Sequence, residues 1–238
     1  MRKIEIALPK GKRLVNEAYG VFKKIGYVSA ALENEIIKKE WKQLEFPTDC
    51  GRAVFLMVRI ADIPQYIDKN WADIGISAYD CYREYELSSQ TAAGSMRGDN
   101  FASEKLPDLN LCSKSRFCIA GKPAVKDFYN KCKESDERVL TVATANPSIA
   151  AKFMASKGIV ADIITVAGSA ELMPSHGGVD TIFDIVESGR ALAENGLVVF
   201  EEAMPIQTKI LVSKAAFKYD ENVVTLVKEL QNEFKQKL

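Results

Sequence analysis

The feature that most constrains this chain is a sustained alternation of short apolar, β-rich runs with amphipathic helical stretches. The clearest run is VFLMVRI at residues 54–60, which is almost continuously apolar. A strand with one wet face alternates apolar and polar residues, whereas one covered on both faces has no need to. Residues 4–8 and 72–76 read as strands too, and helical stretches lie at 14–25 and 63–70. Pro64 falls in the first turn of the second of these helices, where its missing N–H is tolerated. Strand, crossover helix and strand in this order predict a parallel-sheet α/β fold.

The stretch 88–115 breaks the pattern. It is polar, carries Gly94, Gly98, Asn100, Pro107 and Asn110, and reads as a loop-rich domain crossing. Beyond it the alternation resumes, with strands expected at 116–120, 139–143, 163–167, 181–186, 197–201 and 209–212. Helices are expected near 124–132 and 148–157, and a C-terminal helix puts Val223, Val227, Leu230 and Phe234 on one face. The economical arrangement is two α/β lobes with a cleft between them. Residues 1–92 plus 205–238 would form the first lobe and 93–204 the second.

A chain of 238 residues can bury a core in each of two such lobes. Lys plus Arg and Asp plus Glu both number 32, so the net charge is zero and general nucleic-acid binding is not expected. No stretch approaches the roughly 20 apolar residues that span a bilayer. The opening MRKIEIALPKGK lacks the features of a signal peptide. Cys50, Cys81, Cys112, Cys118 and Cys132 are odd in number and contain no C-x-x-C pair, which suits free thiols in the cytoplasm and no zinc site.

The sharpest chemical signal is VDTIFDIVESGRAL at residues 179–192. A strand carrying acidic residues runs into a Ser-Gly turn that opens a helix. Backbone N–H groups at such a turn attract anions, and nearby carboxylates can take ribose hydroxyls or a magnesium ion bridged to diphosphate. The same joint also occurs as a plain cap, so the residues alone leave both readings open.

The run DIVESGRALAENGL at residues 184–197 resembles the phosphoribosyl pyrophosphate loop of the ATP phosphoribosyltransferases. Four further blocks resemble that family in the same order: ALPKG at 7–11, LMVR with DIP at 56–64, ADIGI at 72–76 and GSAELMP at 168–174. At this length the chain is similar to the family's short form, the catalytic subunit of the first step of histidine biosynthesis. That resemblance implies two lobes like those of type II periplasmic binding proteins, with the C-terminal segment completing the first. It also implies ATP and 5-phosphoribosyl 1-pyrophosphate as substrates, Mg²⁺ as cofactor and a homo-oligomer. A regulatory partner similar to a histidyl-tRNA synthetase, carrying histidine feedback, is implied as well.

The resemblance assigns roles residue by residue. It places the 5′-phosphate on Glu187, Ser188, Gly189, Arg190, Ala191 and Leu192, and the ribose hydroxyls near Asp184, with Asp180 among the substrate-binding groups. Glu171 would stand near ribose and magnesium. Arg59 would steady the departing pyrophosphate, Lys10 and Gly11 would line the same cleft, and Lys42 stands where many members carry an Arg that contacts ATP. The catalytic set is therefore Arg59, Asp184 and Glu171.

Several positions depart from the family pattern. The loop's usual Thr is Ala191, Thr-Lys-Tyr-Pro is Thr144-Ala145-Asn146-Pro147, and Gly-Lys-Asp is Ala78-Tyr79-Asp80. Two rival readings stand beside catalysis: a non-catalytic homologue that binds a nucleotide or phosphorylated metabolite, and a cytoplasmic solute-binding module. Arg59 also fits a strand-end ion pair, Arg116 fits hinge packing, and His176, the only histidine, reads as a surface-loop residue.

Overall fold

The computed structural model describes residues 2–11, 14–38, 41–91, 101, 109, 111, 115–132 and 139–235, without the side chains of 89–91 and 235. The chain divides into two compact units, Met1–Leu111 with Gln207–Leu238, and Cys112–Ile206. Each is an α/β lobe built on a five-stranded sheet, which is the expected fold class. The expected first boundary, 92–93, lies outside the described residues. The expected second boundary, 204–205, falls at the end of a strand close to the observed division at Ile206.

In the first unit the order is β1 (Ile4–Pro9), α1 (Val15–Lys24), α2 (Ala30–Lys38), β2 (Glu45–Pro47), β3 (Ala53–Val58), α3 (Ile63–Asp68), β4 (Ile74–Ala78) and α4 (Tyr79–Thr91). The second unit runs β5 (Arg116–Gly121), a 3-10 turn, α5 (Lys126–Cys132), β6 (Leu140–Thr144), α6 (Pro147–Ser156) and β7 (Ala161–Thr165). It continues with a 3-10 segment (Ala170–His176), β8 (Thr181–Val186), α7 (Arg190–Glu194) and β9 (Val198–Pro205). The chain then returns to the first unit with β10 (Thr208–Val212), α8 (Lys214–Tyr219) and α9 (Glu221–Lys235).

The two sheets share one plan. The first has the order β10-β4-β1-β3-β2 and the second β7-β6-β8-β5-β9. In each, three parallel strands are laid down so that the chain places one neighbour beside the first strand and the next on its other side. The strand after each crossing between units, β10 or β5, then joins antiparallel to the last of the three. Beneath the first sheet, Ile6, Leu8, Phe22 and Phe55 form the core, closed by Val223, Val227 and Leu230 from α9. The expected apolar stripe of the C-terminal helix thus packs where its spacing requires. In the second unit Phe117 of β5 stacks on Phe183 of β8 with ring centroids 4.7 Å apart.

The structure adds α2, β2, α4 and α8 to the elements expected. It also corrects the start of the loop: residues 88–91 finish α4 instead. That helix, YDCYREYELSSQT, is polar apart from Leu87, Cys81 and its tyrosines and lacks an aliphatic stripe, so what holds it is tertiary. Tyr82 and Tyr85 pack edge-on against Phe101.

Gly75 marks the tightest approach in the first sheet. A Cβ there would lie 2.9 Å from Ile63 Cγ2 and 3.0 Å from the Ala7 carbonyl oxygen. Backbone cannot give way as a side-chain tip can, so Gly75→Ala is expected to cost about 1–3 kcal/mol. Urea unfolding followed by circular dichroism checks it.

Candidate active site

β8 is the third parallel strand of its lobe and stands on the far side of β6 from β7. Loops leaving the carboxyl ends of strands diverge at such a reversal of order, opening the place where α/β sheets bind ligands. β8 ends at Val186, and Glu187-Ser188-Gly189 turns the chain into α7. Gly189 has φ 74° and ψ 1°, a left-handed conformation that costs a residue with a Cβ roughly 1–2 kcal/mol. The Ser188 hydroxyl accepts the Arg190 N–H at 3.4 Å, which folds the turn on itself.

Residues 185–192, together with Glu171 and Asp184, line a pocket of about 200 Å³. The 3-10 segment delivers Glu171. The chain enters that segment through Ser169, a non-glycine residue at φ 53°. Such strain persists only where the surroundings enforce it, and no residue in the sequence marks it.

The pocket joins two kinds of recognition. The turn offers N–H donors, while Asp184 and Glu171 offer acceptors. Burial pushes the Asp184 carboxyl above the usual aspartate range, and the Glu171 carboxylate adds to the rise; a hydrogen bond from the Ile185 N–H (2.7 Å) opposes both. An anion carrying neighbouring hydroxyls matches this combination. The Arg190 side chain, 83% exposed, pairs through Nε with Glu194 at 2.7 Å along its own helix.

Two expected residues stand elsewhere in this lobe. Asp180 precedes β8 at the opposite end, six strand residues or roughly 20 Å from the turn. There its Oδ2 accepts both the Thr141 N–H (2.9 Å) and the Thr141 hydroxyl (2.6 Å), and its own N–H donates to Thr141 Oγ1 (2.8 Å). Those bonds tie β6 to β8, and the structure does not bring Asp180 to the pocket. His176 is exposed at the end of its 3-10 segment and lies outside the lining.

The remaining expected residues belong to the first lobe. Lys10 and Gly11 follow β1 and Arg59 follows β3; these strands pair in parallel with Pro9 opposite Val58, and the Lys10 N–H donates to the Val58 carbonyl at 2.9 Å. Lys10, Gly11 and Arg59 therefore gather at the carboxyl edge of that sheet. Arg59 is exposed and makes no ion pair among the described residues, so the strand-end salt bridge is not what holds it. Lys42 lies apart, exposed between α2 and β2, with its N–H on Glu35 Oε2 at 2.9 Å.

The two aspartates of β8 give opposite forecasts. Asp180→Ala leaves Thr141 without its acceptor and is expected to cost about 1.5–3 kcal/mol in chemical unfolding. Asp184 holds its proton more tightly folded than unfolded. Its contribution to stability is therefore present below the unfolded pKa and lost as pH rises through the folded one. Asp184→Asn is expected to raise the unfolding free energy at neutral pH and leave it unchanged in acid, which melts across a pH series check.

The comparisons with known proteins bear on the family. The sequence profile of HisG: ATP phosphoribosyltransferase matches residues 59–234. The chain is 35% identical over 219 residues to the ATP phosphoribosyltransferase of Bacillus cytotoxicus, covering 92% of this chain and 90% of that one. It is 32% identical over 237 residues to that of Listeria welshimeri, covering 99% and 98%. Among solved structures, the ATP phosphoribosyl transferase (HisG:HisZ) complex from Thermotoga maritima aligns with a TM-score of 0.67 at 27% identity, over 98% of this chain and 100% of that one. A family profile across most of the chain and relatives above 30% identity over nearly its whole length leave one conclusion: the chain belongs to the ATP phosphoribosyltransferase family.

Proposed function

We infer that this chain transfers the phosphoribosyl group of 5-phosphoribosyl 1-pyrophosphate to N1 of ATP and releases pyrophosphate, the first step of histidine biosynthesis. Family membership supports the activity. At residue level the observation that carries it is the pocket after β8, where a donor-rich turn meets two carboxylates. A ribose 5-phosphate offers the two complements, an anion and adjacent hydroxyls.

In the reaction N1 of ATP forms a bond to C1′ of the donor as the C1′–oxygen bond to pyrophosphate breaks. Positive charge gathers on the ribose and negative charge on the leaving group. The protein must therefore orient both substrates and complement both charges. In this proposal the N–H groups of 187–192 hold the 5′-phosphate and Asp184 accepts from the ribose hydroxyls. Arg59, with Lys10 and Gly11, meets the departing pyrophosphate, and Lys42 serves ATP. Ala191 supplies no hydroxyl where the family usually has one, a loss of about 1 kcal/mol if the amides carry the phosphate.

Magnesium belongs to the same proposal. Among the described residues no three His, Cys, Asp or Glu side chains converge as a ready-made metal site. Magnesium fits such a setting, because it commonly takes one or two carboxylates and completes its shell with phosphate oxygens and water. In this reading Glu171 would hold it, and the ion would neutralise charge on the leaving diphosphate.

Two further points extend the reading. No helix among the described residues is long and apolar enough to cross a membrane, and among the described residues Cys50, Cys81 and Cys118 carry free thiols. Free thiols suit a reducing compartment, so we place the chain in the cytoplasm. The solved relative from Thermotoga maritima is a HisG:HisZ complex, and we propose a HisZ-like regulatory subunit for this chain.

The test is formation of phosphoribosyl-ATP from the two substrates with magnesium, with and without such a subunit. No product under either condition overturns the reading. Arg59 supplies the sharper measurement. If it stabilises the leaving group, Arg59→Ala raises the barrier by about 2–4 kcal/mol, seen as a fall in kcat/KM. Its melting temperature should hardly move, because the side chain is exposed and unpaired among the described residues. Normal turnover would remove Arg59 from the site.

A further inference from the structure

We propose that Arg116 is a positioning residue for the phosphate-binding turn, acting through the peptide that joins Glu187 to Ser188. The proposal rests on the functional reading above, since it explains how that turn is held ready for the donor.

Arg116 opens β5, and the antiparallel register sets it opposite Val186, the last residue of β8. The guanidinium therefore stands beside the turn at the point where the strand ladder ends. It divides its donors in two directions. Nε donates to Glu202 Oε1 of β9 at 2.6 Å, and Nη1 donates to the Glu187 carbonyl at 3.4 Å. The second contact is long, but it reaches the first backbone carbonyl beyond the ladder, two residues before the left-handed Gly189. Glu187 and Ser188 both line the pocket.

The consequence follows from peptide geometry. In a planar trans peptide the C=O and the next N–H point in opposite directions. Holding the Glu187 oxygen on Arg116 aims the Ser188 N–H away from Arg116 and stops the peptide from flipping. A cation on the carbonyl also polarises the unit and makes its N–H a stronger donor, since linked hydrogen bonds reinforce one another. Glu202 fixes the fork so that Nη1 stays on target; a lysine in its place has no planar fork with which to serve both partners. Arg116 touches neither substrate in this account.

The experiment uses the full chain, under the assay conditions that give the wild type its activity. Arg116→Ala is expected to raise KM for 5-phosphoribosyl 1-pyrophosphate about tenfold, the effect of one weakened charge-assisted contact. KM for ATP should stay within about twofold, because a local change at the turn affects one substrate. Arg116→Lys should recover only part of the donor's KM, since an ammonium can still reach the carbonyl but has no fork to hold Glu202 as well. Glu202→Gln keeps an acceptor for Nε and should leave the donor's KM near the wild-type value, which also covers the case of a poorly folded Arg116→Ala. Calorimetric titration of the donor and a thermal melt accompany each variant.

An unchanged donor KM in Arg116→Ala overturns the proposal. So does an equal rise for both substrates, or a Glu202→Gln variant as impaired as Arg116→Ala; the last would make the tie between β5 and β9 the whole effect. A wild type that binds no donor overturns the functional reading and this one together. A wild type that binds it, beside an Arg116→Ala variant that binds equally well, overturns this one alone.

Discussion

Each lobe depends on one aspartate standing immediately before its third parallel strand. In the first, Asp73 precedes β4, accepts the Glu5 N–H at 2.8 Å through Oδ2 and donates its own N–H to the Glu5 carbonyl at 2.9 Å. In the second, Asp180 precedes β8 and treats Thr141 of β6 in the same way. At the start of a parallel pair the ladder has not yet begun, and a strand N–H there needs another acceptor. A carboxylate supplies it, and bonds to a charged acceptor contribute about 1.5–3 kcal/mol each. Asp73 adds an ion pair with Arg2 at 2.5 Å and is only 3% exposed. Both aspartates thus work at the amino ends of the strands, whereas the Glu187-Ser188-Gly189 turn leaves the carboxyl end of β8.

The same division of labour separates stability from chemistry along β8. Asp180 at one end is surrounded by donors, as a structural carboxylate should be. Asp184 near the other end is half-buried with a single local N–H for company and Glu171 nearby. A carboxylate so placed favours its protonated form in the free protein. Perturbed groups of this kind collect at functional sites, and Ser169, held in a left-handed conformation just before Glu171, carries backbone strain. The pocket is thus assembled from groups that the fold tolerates and a ligand would satisfy.

Much of this was legible in the sequence. Near-continuous apolar runs such as VFLMVRI do lie between neighbours in the sheet, and the stripe of Val223, Val227 and Leu230 does close a core. The turn Glu187-Ser188-Gly189 was readable because its demand is local: a left-handed residue is needed, and glycine stands there. α4 was not, because a helix without an aliphatic stripe is held by rings that arrive from Phe101. Within the site, the sequence grouped Asp180 with Asp184 since both flank the same motif, and it could not see that they face opposite ends of a sheet.

The sequence by itself determined the order and type of most elements, the place of the turn and the family to which the chain belongs. These follow from periodicity, glycine and short motifs, all of which are written within a few residues. Tertiary structure alone decided which carboxylate binds the fold and which faces the pocket, and that Arg116 meets the carbonyl of Glu187. Strand pairing joins segments far apart in the chain: β6 beside Asp180, and Arg116 opposite Val186. The partner of each side chain is therefore set by register, and register exists only once the sheet has formed.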